Sequence, residues 1–249
     1  MPDTPLPGQA DLGRVTFSPG AEDWIEFGPA HARERIGFHD YAALYAVPGL
    51  YERVFHDELG MCTAARVVGL YAEALRQLRR QTADERVVDL GAGNGLGGEE
   101  LRRIGIGRVV GVDIEPAARE AALRDRPGAY DHYIVGDLAS LPAGELASVA
   151  AMEPTAVLAL SALGPGHAPP TVLDTALGLL ATGGVFAFAV TPALLPGRED
   201  AADQSTGYPE LLSELFDHRA DLLARHEYVH RRQTDGSDHL AVAFVGRMR

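Results

Sequence analysis

Short apolar runs alternate with stretches of helical spacing from residue 86 to residue 223. Val87, Val88 and Leu90 make the first run, and β-branched residues in a short unbroken apolar run predict a buried parallel strand. Residues 108–113, 132–135, 155–160 and 185–190 read as four more strands. Between them, 99–104, 117–125, 145–151 and 172–180 read as helices, the second opened by Pro116 and the last ended by Gly183-Gly184. Leu211, Leu212, Leu215, Phe216, Leu222 and Leu223 predict a further amphipathic helix. Two closing strands, 227–233 and 239–247, flank Thr234-Asp-Gly-Ser, and Asp235-Gly236 is a strong hairpin signal.

Upstream the pattern changes. Thr63 is placed to cap a helix, and Ala64, Val67, Val68, Tyr71, Leu75 and Leu78 carry its apolar face to about residue 80. Residues 29–57 concentrate His31, Phe38, His39, Tyr41, Tyr45, Tyr51, Phe55 and His56. The spacing of Phe38, Tyr41 and Tyr45 puts them on one helix face, which Pro48-Gly49 interrupts. Such a stripe packs as core, or its polar tips line a wet cleft as a lid. Residues 1–21, with Pro2, Pro5, Pro7 and Pro19, have little to bury and read as a mobile tail. The connection 192–209 is long and polar, which suits a second lid or an interface.

The chemistry gathers at strand ends. Gly91, Gly93 and Gly95 follow the first strand and precede a helix, a place where backbone approaches a ligand closely. Gly93-x-Gly95-x-x-Gly98 also fits the dinucleotide pattern, which by itself is a weak signal. Asp113 ends the second strand, where a carboxylate accepts hydrogen bonds from ribose hydroxyls. That position serves nicotinamide cofactors and S-adenosylmethionine alike. Asp89 would repel a pyrophosphate but tolerates a cationic amino-acid end, and Asp137 after the third strand can accept from an adenine amino group.

The runs Asp89-Leu-Gly-Ala-Gly-Asn-Gly95, Gly111-Val-Asp113-Ile114 and Gly136-Asp137 resemble those of the class I S-adenosylmethionine-dependent methyltransferases, across residues 84–190 and by element order beyond. The family often has Glu at the position of Asp89, and the charge is kept. Within the family the chain looks most like small-molecule methyltransferases of bacterial metabolism. The resemblance implies an α/β, Rossmann-like methyltransferase fold: a seven-stranded mostly parallel sheet with helices on both faces, an antiparallel C-terminal hairpin and a helical N-terminal lid. It divides the chain into the tail 1–21, a lid segment 22–80 and a cofactor-binding domain 81–249. Asp89, Gly91, Ala92, Gly93 and Gly95 would hold the methionine portion, Asp113 the ribose, and Asp137 with Leu138 the adenine. Ile114 and Ser161 complete the cofactor set. His39, Tyr41 and His167 are the candidates for acceptor contact or general base. The implied reaction moves a methyl group to an O, N or C nucleophile of a small metabolite and yields S-adenosylhomocysteine. Its rivals are a nicotinamide-dependent oxidoreductase and a protein that binds S-adenosylmethionine without methylating.

Composition narrows the partners. A chain of 249 residues, 46% hydrophobic, can bury one domain with an accessory lid. It has no apolar run of about 18 residues, so no membrane span is expected. The start Met1-Pro-Asp-Thr-Pro-Leu-Pro-Gly lacks the marks of a secretory signal. Cys62 is the only cysteine, which rules out an internal disulfide and a cysteine zinc cage, so no metal is expected. The expected compartment is the cytoplasm, and the expected state is a monomer or homodimer. A formal net charge of −13 repels phosphate backbones and disfavours nucleic acid. Arg76, Arg79 and Arg80 read as a solvated helix face.

Overall fold

The apolar runs meet in one sheet. The computed structural model describes residues 11–19, 22–198 and 206–249. Strands β4 (Arg86–Leu90), β5 (Arg108–Asp113), β6 (His132–Val135), β7 (Ala156–Ala159), β8 (Val185–Val190), β9 (Ala220–Arg232) and β10 (Asp238–Met248) lie in the order β6-β5-β4-β7-β8-β10-β9. β4 to β8 are parallel, while β10 runs antiparallel to both β8 and β9. Alternation along the strands feeds two cores. Val88, Val110, Val157 and Phe186 face helices α7 (Pro170–Leu177) and α8 (Tyr208–Glu214). Val87, Val109, Leu158 and Ala187 face α3 (Thr63–Gln77) through Tyr71 and Leu75. From β4 the chain builds outward to β5 and β6, then crosses to β7 on the other side. That reversal opens a crevice beyond the C-terminal ends of β4 and β7.

The N-terminal segment differs from expectation. Before any helix it forms a small antiparallel sheet of β1 (Thr16–Phe17), β2 (Trp24–Phe27) and β3 (Glu34–Gly37). The segment 22–80 is thus not wholly helical. The expected tail 1–21 is ordered where described, with Val15 buried, and residues 1–10, 20 and 21 lie outside the described residues. These strands are too short for their alternation to stand out. Arg33 stitches them by donating to Thr16 Oγ1, Glu26 O and Gly28 O. Phe38 is buried just ahead of α1 (Tyr41–Ala46), whose cap is Asp40, and so it is not on the helix stripe. Helix α2 (Leu50–Glu52) widens into a π-helical turn, Arg53–Glu58.

Three local readings need correction. Thr63 does not cap α3: Cys62 holds that place, and the Thr63 hydroxyl instead bonds Tyr228 OH at 2.9 Å and His230. The helix expected through residue 223 stops with α8 and the wide turn Leu215–Arg219, and Leu222 and Leu223 belong to β9. Pairing of β9 with β10 over eleven register positions overrides the local helical spacing there. Arg80 is no solvated charge, since it forms a two-pronged pair with Glu85, which is 2% exposed. The connection 192–209 falls partly on residues 199–205, outside the described residues.

Candidate active site

Beyond the ends of β4 and β7 lies a cleft of about 800 Å3, lined by the glycine turn, the ends of β5 and β6, the loop after β7, the N-terminal helices and the turn end of the β9–β10 hairpin. Gly91 has φ +69° and an added Cβ would stand 2.2 Å from Ala162 Cβ. Gly93 has φ +53°, and its added Cβ would meet Tyr45 OH at 2.8 Å. Both positions therefore require glycine for backbone angle and for space. Gly95 does not join the cleft. It sits at the N-cap of α4 (Leu96–Arg103) with φ +95°, facing Arg126 and Ala122, and serves the turn rather than a ligand.

The acids are held by backbone and phenols. Asp113 accepts from Gly93 N at 2.8 Å on Oδ2 and from Glu115 N at 2.9 Å on Oδ1, so it braces the glycine turn from the neighbouring strand. Burial pushes its carboxyl up, against those hydrogen bonds. Asp89 is 1% exposed; its Oδ2 accepts from Tyr130 OH at 2.8 Å, and its Oδ1 is buried without a hydrogen-bond partner. Burial raises this carboxyl to about 7, with the Tyr130 hydrogen bond opposing and the Asp113 charge adding. An orphaned carboxylate oxygen at a cleft fits a cationic ligand group. Asp137 caps a short turn by accepting from Ala139 N at 2.9 Å, and Leu138 beside it is buried. Ile114, 72% exposed, lines the same cleft. Ser161, just past β7, holds φ +65°, a costly angle for a residue other than glycine.

In the same cleft His39, Tyr41 and His167 come together. The His39 and His167 rings are 6.1 Å apart, Tyr41 and His167 5.7 Å, and His39 Nδ1 lies 3.5 Å from Tyr41 OH. Two of these come from the N-terminal segment and one from the loop after β7. Burial lowers the titration of His167, with His39 and Arg231 adding, so its imidazole is neutral near pH 7. Tyr41 is raised to about 12 by burial and stays a phenol.

Residues 88–188 match the family model described as a methyltransferase domain. The matched residues form an S-adenosylmethionine-dependent methyltransferase domain. No curated protein matches it in sequence. An S-adenosylmethionine-dependent methyltransferase from Anabaena variabilis shares the fold with TM-score 0.55 at 17% identity, over 86% of this chain and 96% of that one. A putative RNA methyltransferase from Pyrococcus horikoshii gives 0.53 at 14% identity over 74% and 81%. A cofactor-bound protein from MTB gives 0.51 at 20% identity over 82% and 87%. At such identities the likeness is one of fold.

The methyltransferase also uses residues that sequence reading passed over. Tyr130 and Tyr133 clamp the glycine turn, Tyr130 through Asp89 and Tyr133 by donating to Gly93 O at 2.7 Å. Arg231, 6% exposed, pairs with both oxygens of Glu22 at 2.6 and 2.7 Å, and its guanidinium lies 5.4 Å from the Phe38 ring centre. Arg231, His230 and His239 reach the cleft from the C-terminal hairpin, and His230 and Arg231 stand 167 and 209 residues after Thr63 and Glu22, which they touch. No local signal marks such pairs. His56 is one aromatic among several in its stretch of sequence; its Nε2 is buried without a hydrogen-bond partner at the cleft wall. Among the described residues no cluster could hold a metal ion, and no helix is long and apolar enough to cross a membrane.

Proposed function

We propose that this methyltransferase acts on a small-molecule acceptor through an O, N or C nucleophile. The carrying observation is the convergence of His39, Tyr41 and His167 in the cleft that Asp89 and Gly91 also line. S-Adenosylmethionine supplies a methyl group already activated on a sulfonium. The chain's work is then to bind, to align and to exclude water. Asp89 would receive the ammonium of the methionine portion on its orphaned Oδ1, with Gly91, Ala92 and Gly93 allowing close approach. Asp113 would hold the ribose hydroxyls, Ile114 and Leu138 would flank the adenine, and Asp137 would accept from its amino group. Ser161 opens the loop that carries His167 toward the transferred group.

His167, held neutral, would take a proton from an acceptor that must lose one, while Tyr41 and His39 orient it. Residues 22–80 would act as the lid, joined to the main domain where Arg232 N donates to Leu59 O and Cys62 N donates to His230 O. The net charge of −13 supports a metabolite over a nucleic acid. Incubating the enzyme and methyl-labelled S-adenosylmethionine with a cell extract tests the reading. Label should enter low-molecular-weight products, and H167A, H39A and Y41F should each cut turnover with little change in Tm or cofactor affinity. Label confined to RNA or protein would end the small-molecule reading. Hydrogen exchange should show 29–57 gaining protection on cofactor addition, and an unaffected segment would make it core rather than lid.

A further inference from the structure

We propose that Tyr41, Tyr45, Tyr51 and Phe55 form an aromatic wall that distinguishes the sulfonium of S-adenosylmethionine from the neutral sulfur of S-adenosylhomocysteine. The inference rests on the cofactor site described above. The four rings close on one another: centroids are 6.2 Å apart for Tyr41–Tyr45, 5.1 Å for Tyr45–Tyr51, 4.8 Å for Tyr51–Phe55 and 6.4 Å for Tyr41–Phe55. All four line the cleft. The wall has a defined position. At one end Tyr45 OH rests against Gly93, and at the other Tyr41 lies beside His167. It therefore spans the interval between the glycine turn and the acceptor residues, which is where the reacting sulfur must lie.

Charge around the wall points the same way. The described lining of the cleft carries six carboxylates against one guanidinium, Arg231, and that cation is already paired with Glu22. The Asp113 charge adds to the cost of ionising Asp89, and Asp89 Oδ1 has no partner. The Tyr45 and Tyr51 phenols are held neutral by burial, so each ring offers a π-face without a charge of its own. A cation against such faces is attracted by the ring quadrupole, most strongly where water is excluded. Methyl transfer forms the bond from acceptor to methyl carbon, breaks the carbon–sulfur bond and leaves its electron pair on sulfur. The sulfur loses its charge in that step, so the attraction ends as the product forms and release is favoured.

Calorimetric titration of the full chain with three ligands tests this. They are S-adenosylmethionine, S-adenosylhomocysteine, and the analogue in which the methylated sulfur is replaced by a carbon bearing a primary ammonium. The two cationic ligands should bind at least about tenfold more tightly than S-adenosylhomocysteine, a difference of about 1.4 kcal/mol. Tyr45→Leu and Tyr51→Leu should bring that ratio toward one while S-adenosylhomocysteine affinity changes less than about threefold; Tyr45→Phe, which keeps the ring, should preserve it. S-Adenosylhomocysteine binding to the wild type as tightly as S-adenosylmethionine overturns the proposal, and so does a ratio untouched by both Leu variants. Failure of all three ligands to bind would instead overturn the cofactor assignment beneath it.

Discussion

Asp89→Asn should stabilise the cofactor-free protein increasingly as the pH rises, and should weaken its hold on S-adenosylmethionine. Asp89 is buried, and that burial, opposed by Tyr130 and reinforced by Asp113, brings its carboxyl to about 7. In an unfolded chain an aspartate titrates near 3.9, as model peptides do. With the folded value the higher of the two, the folded state keeps a proton that the unfolded chain has released. Stability therefore falls by about 1.4 kcal/mol per pH unit from about pH 4 to about pH 7 and stays low above that. Below the unfolded value the penalty is absent. Asparagine carries none of it, and its amide oxygen can still accept from Tyr130. Between about pH 5.5 and about pH 7.5 the variant should gain roughly 2 kcal/mol on the wild type. At a size of 150–250 residues that corresponds to about 4–8 °C in Tm. Denaturant unfolding of both proteins at both pH values measures it, because groups common to the two cancel in the double difference. Calorimetry at the higher pH should show cofactor binding weakened by about 2–4 kcal/mol, as loss of a buried charged acceptor does. A stability gap of equal size at both pH values would refute the electrostatic argument, and unchanged affinity would remove Asp89 from the cofactor site.

Other substitutions test other parts of the site. Asp113→Ala should cost about 2–4 kcal/mol of cofactor affinity by calorimetry, and also loosen the glycine turn, since Gly93 N and Glu115 N lose their acceptor. Gly91→Ala places a methyl 2.2 Å from Ala162 Cβ at a left-handed angle, and a cofactor titration should show at least about a tenfold loss of affinity together with a lower Tm. Glu22→Ala leaves the Arg231 guanidinium buried without its partner and should cost about 2–3 kcal/mol in denaturant unfolding; Glu22→Ala,Arg231→Met should recover much of that. Recovery no better than additive would show that the pair is not what holds the N-terminal segment to the hairpin.

The main sheet, its closing hairpin and the strand-end acids that line the cleft were legible in the sequence because each rests on local rules. Val87-Val88, Val109-Val110 and the Phe186–Phe188 run are buried by their own strands, and Asp235-Gly236 dictates a turn from two residues. Asp89, Asp113 and Asp137 stand at strand ends, so the parallel sheet carries them to one edge whatever the helices do. The tertiary structure decided the rest. Leu222 and Leu223 keep helical spacing, yet β10 offers β9 a backbone partner that no local preference can match. Trp24–Phe27 is too short to declare itself until Arg33 and its neighbouring strands close around it. Tyr130, Glu22 and Arg231 are ordinary polar residues in sequence, and each acquired its place from a partner made near only by folding. His39 and Tyr41 stand some 125 residues before His167, and what joins them is the crossing of the sheet at β4 and β7, where the order of strands reverses and the N-terminal segment lines the cleft. Spacing determines which face a residue shows to its own element; only chain topology determines what meets it there.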